Sequence, residues 1–172
     1  RFSAGHLQLY MLQLTQCLKF EPYHNSPLAR FLIQQCVLHP TQLGHFLYWN
    51  LKNEMACDPP FALRFGIILE CFLTHCPNAT EQLRSQQQIV DECRRLAVSI
   101  QRKKSELNEQ ALLSAYNEGV LAINRDFLQR LPQGHFQLPL DPRWQAKALI
   151  PSKCKIMSSK MAPLWLVFEN AD

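Results

Sequence analysis

The sequence predicts a mainly α-helical protein. Short helices pair and stack as an α-solenoid of the HEAT or armadillo kind, and two longer helices and a β-hairpin follow. Three observations carry this reading. Apolar residues recur at three-four spacing in proline-punctuated segments of roughly ten to fifteen residues up to about position 76. After Cys76-Pro77-Asn78 the composition turns polar and glutamine-rich. Near the C-terminal end, Leu164-Trp165-Leu166-Val167-Phe168 is a run of β-formers.

In the first helix Leu7, Tyr10, Met11, Leu14, Cys17 and Leu18 form one apolar stripe, stopped by Glu21-Pro22-Tyr23. Ser26 before Pro27 reads as an N-cap with proline at the first helical position, where its missing N–H costs nothing. The next stripe is Leu28, Phe31, Leu32, Cys36 and Val37, ending near His39-Pro40. A third helix is expected from Gln42 to Met55, with Leu43, Phe46, Leu47 and Leu51 apolar and Trp49 flanking. Asp58 before Pro59 repeats the cap-and-proline signal, and a fourth helix runs from Ala62 to about His75. Helices this short are unstable alone, so they must bury their faces against one another.

From Thr80 to Gln110 the stripe is Leu83, Val90, Cys93, Leu96, Ala97 and Ile100. Arg102-Lys103-Lys104 closes that helix, where positive charge suits the carbonyl end of the dipole. The cluster reads as a solvated last turn or as a patch for an anionic ligand. A further helix is expected from Ser105 to Leu131, stopped by Pro132-Gln133-Gly134. Phe136 to Pro142 reads as extended, proline-punctuated chain. Strands are expected at Ala148–Met157 and Leu164–Phe168, with Ser158-Ser159-Lys160-Met161-Ala162-Pro163 between them. A lone hairpin is marginally stable, so further strands should follow.

Composition excludes several classes. The 172 residues, 47% hydrophobic and 19% charged, suit a globular protein with a sizeable core, not a disordered or low-complexity one. A net charge of +4 is too mild to announce a nucleic-acid binder. No apolar run approaches the ~20 residues of a membrane-spanning helix, and no signal peptide is readable. The chain opens Arg1-Phe2-Ser3 without methionine, so the expectation is a piece cut at both ends. Seven cysteines, odd in number and scattered through apolar segments, read as reduced core thiols of a cytosolic protein. Cys71, His75 and Cys76 form the nearest thing to a ligand cluster, but without a second ligand pair they read as helix-end packing. Asn78-Ala79-Thr80 is a formal glycosylation sequon that matters only in a secreted protein. His39 and His45 read as packed or capping histidines, Trp49 and Trp144 as core or edge residues. No catalytic or metal-binding constellation stands out by spacing.

The run Lys153-Cys154-Lys155-Ile156-Met157-Ser158-Ser159-Lys160-Met161-Ala162-Pro163-Leu164-Trp165 closely resembles the phosphate-binding loop of class I phosphoinositide 3-kinase catalytic subunits. Leu14 to Tyr23, Gly44 to Met55 and Leu63 to Glu70 resemble the helical (PIK) domain of that family, and Pro139-Leu140-Asp141-Pro142 resembles the entry to its kinase N-lobe. These segments occur in the family's order and cover nearly the whole chain. The Lys160-Met161-x-Pro163-Leu164-Trp165 form looks closest to the beta and delta isoforms, and Met157-Ser158-Ser159 to alpha.

The resemblance implies two domains: residues 1–76, the C-terminal part of the helical domain, and residues 77–172, a truncated N-terminal part of the lipid kinase domain. It implies a loop of Met157, Ser158, Ser159, Lys160 and Pro163 around the phosphates of ATP, and an adenine pocket bordered by Met157 and Trp165. Backbone amides and a serine hydroxyl would cradle phosphate oxygens, and Lys160 would add a point charge. Ile156 is expected to pack in the lobe core. Ala162 departs from the family, which commonly carries a basic residue there, leaving Lys160 as the loop's only charge. The intact enzyme would use ATP and Mg2+ to phosphorylate the 3-hydroxyl of a phosphoinositide. It would be cytoplasmic, recruited to the inner face of the plasma membrane, with a regulatory or adaptor subunit as partner. The strand lysine, catalytic loop and metal-binding aspartate of the family would lie beyond Asp172, so the fragment is expected to be inactive. The other reading is a non-catalytic α-solenoid interaction scaffold.

Overall fold

The computed structural model describes residues 3–171. Arg1, Phe2 and Asp172, at the ends of the two expected domains, lie outside the described residues. The chain divides into two compact units, Arg1–Leu83 and Arg84–Asp172.

The first unit holds α1 (Ala4–Gln8), α2 (Met11–Cys17), α3 (Pro27–Leu38), α4 (His45–Cys57) and α5 (Ala62–His75). It also holds the opening turns of α6 (Pro77–Lys103). Helix α2 packs on α4, α3 on α5, and α4 on α5. Helices α2 and α3 thus each meet the helix two places on, and α4 also meets its neighbour α5, as stacked helical pairs do when they bury a continuous core. Leu18, Leu32, Leu43, Leu47, Leu51, Phe65, Ile68 and Phe72 fill that core. Gly44 is required where α4 begins, because a Cβ there would run into the Phe72 ring.

Local signals explain some of the helix ends. Ser26 Oγ accepts from Ala29 N at 3.1 Å, as its place before Pro27 predicts. Asp58 does not cap in this way. Its carboxylate is 3.0 Å from Lys19 Nζ, and a 3-10 turn, Pro59–Phe61, leads into α5. The expected first helix is two helices, and Tyr10 at the break is exposed. The Pro27 helix buries Ala29, Leu32 and Cys36 and leaves Phe31 largely exposed. The third helix starts at His45, because Pro40–Gly44 form a π-helical turn in which Leu43 N and Gly44 N both donate to His39 O.

The second unit holds the rest of α6, then α7 (Glu109–Asp126) and five short strands. Ile89, Leu96 and Ile100 from α6 join Leu112, Tyr116, Val120 and Ile123 from α7 in its core. Gly119 lets α7 approach closely, since a Cβ would overlap Leu96 Cδ1. Helix α7 is shorter than the expected Ser105–Leu131. Asn108 caps it by accepting from Ala111 N at 2.8 Å, and a separate 3-10 turn holds Leu128–Arg130.

Strands β1 (Phe136–Leu138), β2 (Asp141–Leu149) and β5 (Phe168–Asn170) form an antiparallel sheet in the order β1-β2-β5, with Phe136 opposite Ala146 and Leu149 opposite Phe168. Strands β3 (Lys155–Ile156) and β4 (Leu164–Trp165) form a separate antiparallel hairpin. Two expectations need correction. The single strand Ala148–Met157 is broken by a 3-10 turn at Pro151–Lys153, because Pro151 has no N–H for a ladder. The single strand Leu164–Phe168 is divided between the two sheets. Between them Val167 O accepts from Ile150 N at 2.8 Å, and Val167 N donates to Cys154 Sγ at 3.3 Å.

All seven cysteines are free thiols, and Cys36, Cys76 and Cys154 are buried. Burial pushes the Cys36 thiol up to about 12 and the Cys93 thiol up to about 11, so neither is a ready nucleophile. Cys71 Sγ lies 4.0 Å from His75 Nδ1, which is itself 2.7 Å from Cys71 O, an arrangement of helix-end packing.

Candidate functional site

The β3–β4 hairpin brings most of the expected site residues to one place. Lys155 pairs with Trp165 and Ile156 with Leu164. Met157 N donates to Pro163 O at 2.9 Å, which carries the pairing one step further. Because side chains alternate along a strand, Lys155, Met157, Pro163 and Trp165 share one face, and Ile156 and Leu164 share the other. The second pair packs against the core of this unit. The first face is open: Met157, Pro163 and Trp165 are all exposed. Lys155 Nζ lies 6.0 Å from the centroid of the Trp165 ring, at the outer range of a cation–π contact.

The tip is Ser158-Ser159-Lys160-Met161-Ala162. Ser159 N donates to Met157 O at 2.9 Å, and Ala162 N donates to Ser159 O at 3.0 Å, closing a tight turn. Ala162 has φ +45°, in the left-handed region, and is 1% exposed. That conformation costs a non-glycine residue roughly 1–2 kcal/mol, offset in part by burial of the methyl. Among the described residues, the amides of Ser158, Lys160 and Met161 donate to no protein acceptor. The side chains of Ser158, Ser159 and Lys160 are exposed. Successive unspent amides beside one lysine are a concave donor array of the kind that binds anions.

The hairpin is held from below by α7. Tyr116 Oη is 3.4 Å from Trp165 O, and burial pushes its phenol well above its ordinary value, so the hydroxyl stays a neutral donor. Asn124 Nδ2 donates to Leu149 O and Asn124 Oδ1 accepts from Leu149 N, both at 2.8 Å, where β2 ends. Sequence reasoning missed Lys155, Tyr116 and Asn124. Only Lys155 carries a readable signal, as the residue two before Met157 on the same strand face. Trp144, by contrast, is neither core nor edge but an exposed residue on the central strand β2, and Trp49 flanks the helical core.

The profile of the phosphoinositide 3-kinase family accessory domain (PIK domain) matches residues 1–85. The chain is 40% identical over 171 residues to phosphatidylinositol 3-kinase 2 of Dictyostelium discoideum, and 33% identical over 170 residues to phosphatidylinositol 3-kinase 1 of the same organism. Both alignments cover 99% of this chain, and they cover 9% and 10% of those relatives. The chain belongs to the phosphoinositide 3-kinase family. The helical unit, Arg1–Leu83, nearly coincides with the stretch matched by the PIK domain. The hairpin lies outside that stretch, in the part matched by the two Dictyostelium kinases.

The residues present fit the phosphates of a nucleotide, with three unspent amides, two serine hydroxyls and Lys160 around one turn. Among the described residues there is no group of three or more His, Cys, Asp or Glu that could hold a metal ion.

Proposed function

We propose that the whole protein is the catalytic subunit of a class I phosphoinositide 3-kinase. In this reading it transfers the γ-phosphate of ATP to the 3-hydroxyl of a phosphoinositide. Residues 1–76 act as helical scaffold, and residues 77–172 open the kinase domain. The observation that carries the reading is the register of the hairpin. It groups Met157, Pro163 and Trp165 on one exposed face, suited to an adenine ring, beside a turn whose amides and Lys160 suit the phosphates. Mg2+ would bind through residues outside this chain, so the 172 residues alone are proposed to turn over no ATP. Turnover by the purified chain that is abolished in Ser159→Ala would overturn that.

The lipid substrate places the protein at a membrane surface, reached from the cytoplasm with help from a regulatory subunit. The charge distribution supports this. Residues 1–83 hold five basic and five acidic side chains, whereas residues 84–172 hold thirteen and nine, so the whole +4 falls on the second unit. Anionic inner leaflets attract basic surfaces.

The test of the nucleotide reading is Lys160→Ala in the whole protein. Removing one charge-assisted phosphate contact should raise the KM for ATP about tenfold, with the KM for the lipid near wild type. An unchanged ATP KM would remove Lys160, and with it the loop, from the phosphate site.

A further inference from the structure

We infer that Lys104, at the end of α6, is a positioning residue that sets the phosphate-facing geometry of the 158–162 turn without touching the nucleotide. The inference rests on the nucleotide reading of that turn. Lys104 Nζ donates to Ser159 O, and Gln101 Nε2, one helical turn earlier, reaches Met161 Sδ at 3.6 Å. Ser159 O therefore accepts twice, from Ala162 N inside the turn and from Lys104 outside it, which uses both of its lone pairs.

The consequence follows from peptide planarity. The Ser159–Lys160 peptide is trans, so its C=O and the Lys160 N–H point in opposite directions. Holding the carbonyl toward α6 aims the Lys160 amide away from the helix, to the open side of the turn. That amide and its neighbour at Met161 donate to no protein acceptor among the described residues. Without the tether, the peptide of an exposed turn is free to rotate, and its donor would spend part of its time facing the wrong way. Lys104 thus supplies preorganisation, and its ammonium is spent on a carbonyl oxygen rather than on phosphate. The basic run Arg102-Lys103-Lys104 divides accordingly. Arg102 and Lys103 complete the last turn of α6, and Lys104 reaches the loop.

The experiment uses the whole protein and reads ATP, ADP and adenosine separately. Lys104→Met keeps the aliphatic stem and removes the donor. It should raise the KM for ATP about fivefold or more and weaken competitive inhibition by ADP to the same degree, leaving inhibition by adenosine unchanged. Lys104→Gln, neutral but still a donor, should recover most of the loss, and Gln101→Leu should give a smaller change in the same direction. Lys160→Ala is measured alongside. If Lys160→Ala raises the ATP KM and Lys104→Met does not, the positioning role is wrong and the nucleotide reading stands. If Lys104→Met weakens adenosine as much as ADP, Lys104 only supports the fold and the inference fails. Gln as poor as Met would mean that charge matters and not position, which overturns it too. If Lys160→Ala leaves the ATP KM unchanged, the nucleotide reading of the loop falls and takes this inference with it.

Discussion

Lys19 shows how one side chain ties distant segments together in the helical unit. Its ammonium lies 2.5 Å from Glu54 Oε2 and 3.0 Å from Asp58 Oδ2, and Gln16 Nε2 donates to Glu54 Oε1 at 3.1 Å. Close by, Arg64 reaches from α5 to the carbonyls of Leu18, Lys19 and Glu21, where the chain leaves its first helical segment. The Lys19 hydrogen bond holds the Glu54 carboxyl below the usual carboxylate range, and the same bond, with that to Asp58, raises Lys19. For Glu54 the folded value lies below the unfolded one. Its stabilisation is therefore complete above an unfolded pKa of about 4.3 and is lost as the pH falls through the folded value. For Lys19 the folded value is the higher one, so its share is complete below an unfolded pKa of about 10.4 and is lost as the pH rises through the folded value. The stability gap between wild type and Glu54→Gln, followed by urea unfolding, should stay constant through the neutral range and close in acid below about pH 4. A gap that persists unchanged to pH 2 would show that the ion pair contributes nothing to folding.

Among the elements, β2 depends on a helix residue that no strand pattern reveals. Asn124 of α7 uses both ends of its amide on the backbone of Leu149, which is 2% exposed and ends the strand. Asn124→Ala would leave a buried N–H and C=O unpaired, at a cost of about 1–3 kcal/mol each. Chemical denaturation should read a loss in that range, and Asn124→Asp, which keeps the acceptor, should fall between wild type and Ala. No loss in Asn124→Ala would mean that water replaces the amide. The contrast with Ser26 explains what could be read in advance. Ser26-Pro27 caps α3 through neighbours in the chain, so its signal is local and visible. Asn124 acts on a residue 25 positions away, and in sequence it is one polar residue on a helix. The same limit applies to the strands. β3 and β4 have two residues each, too few to show a period, and Val167 leaves its run because of bonds to Ile150 and Cys154. At the site, Met157, Ser159, Lys160, Pro163 and Trp165 were legible through resemblance alone. The common face of Met157, Pro163 and Trp165 became visible only with the Met157–Pro163 pairing, and Lys104 read only as a charge on a helix end.

At the scale of the whole molecule, the asymmetry of charge is the feature that composition conceals. A net +4 spread evenly would steer nothing, but residues 1–83 are balanced and residues 84–172 hold all of the excess. Much of it is concentrated on α6, where Arg94, Arg95, Arg102 and Lys103, with Glu106, border an open groove of about 560 Å³. Of these, Arg95 is partly committed to an ion pair with Glu92. Each basic side chain near an anionic leaflet contributes about 1 kcal/mol, and the attraction decays within a Debye length of about 10 Å at 0.1 M salt. Sedimentation with phosphatidylserine-rich vesicles should therefore show binding of the chain that falls steeply between about 0.05 and 0.5 M salt. Replacing Arg94, Arg102 and Lys103 by Gln should weaken that binding and flatten its salt dependence. Arg30→Gln with Lys52→Gln, in the balanced unit, should change neither. Equal losses from the two sets would show that the chain responds to net charge alone, and that the basic face of α6 has no part in approaching the membrane.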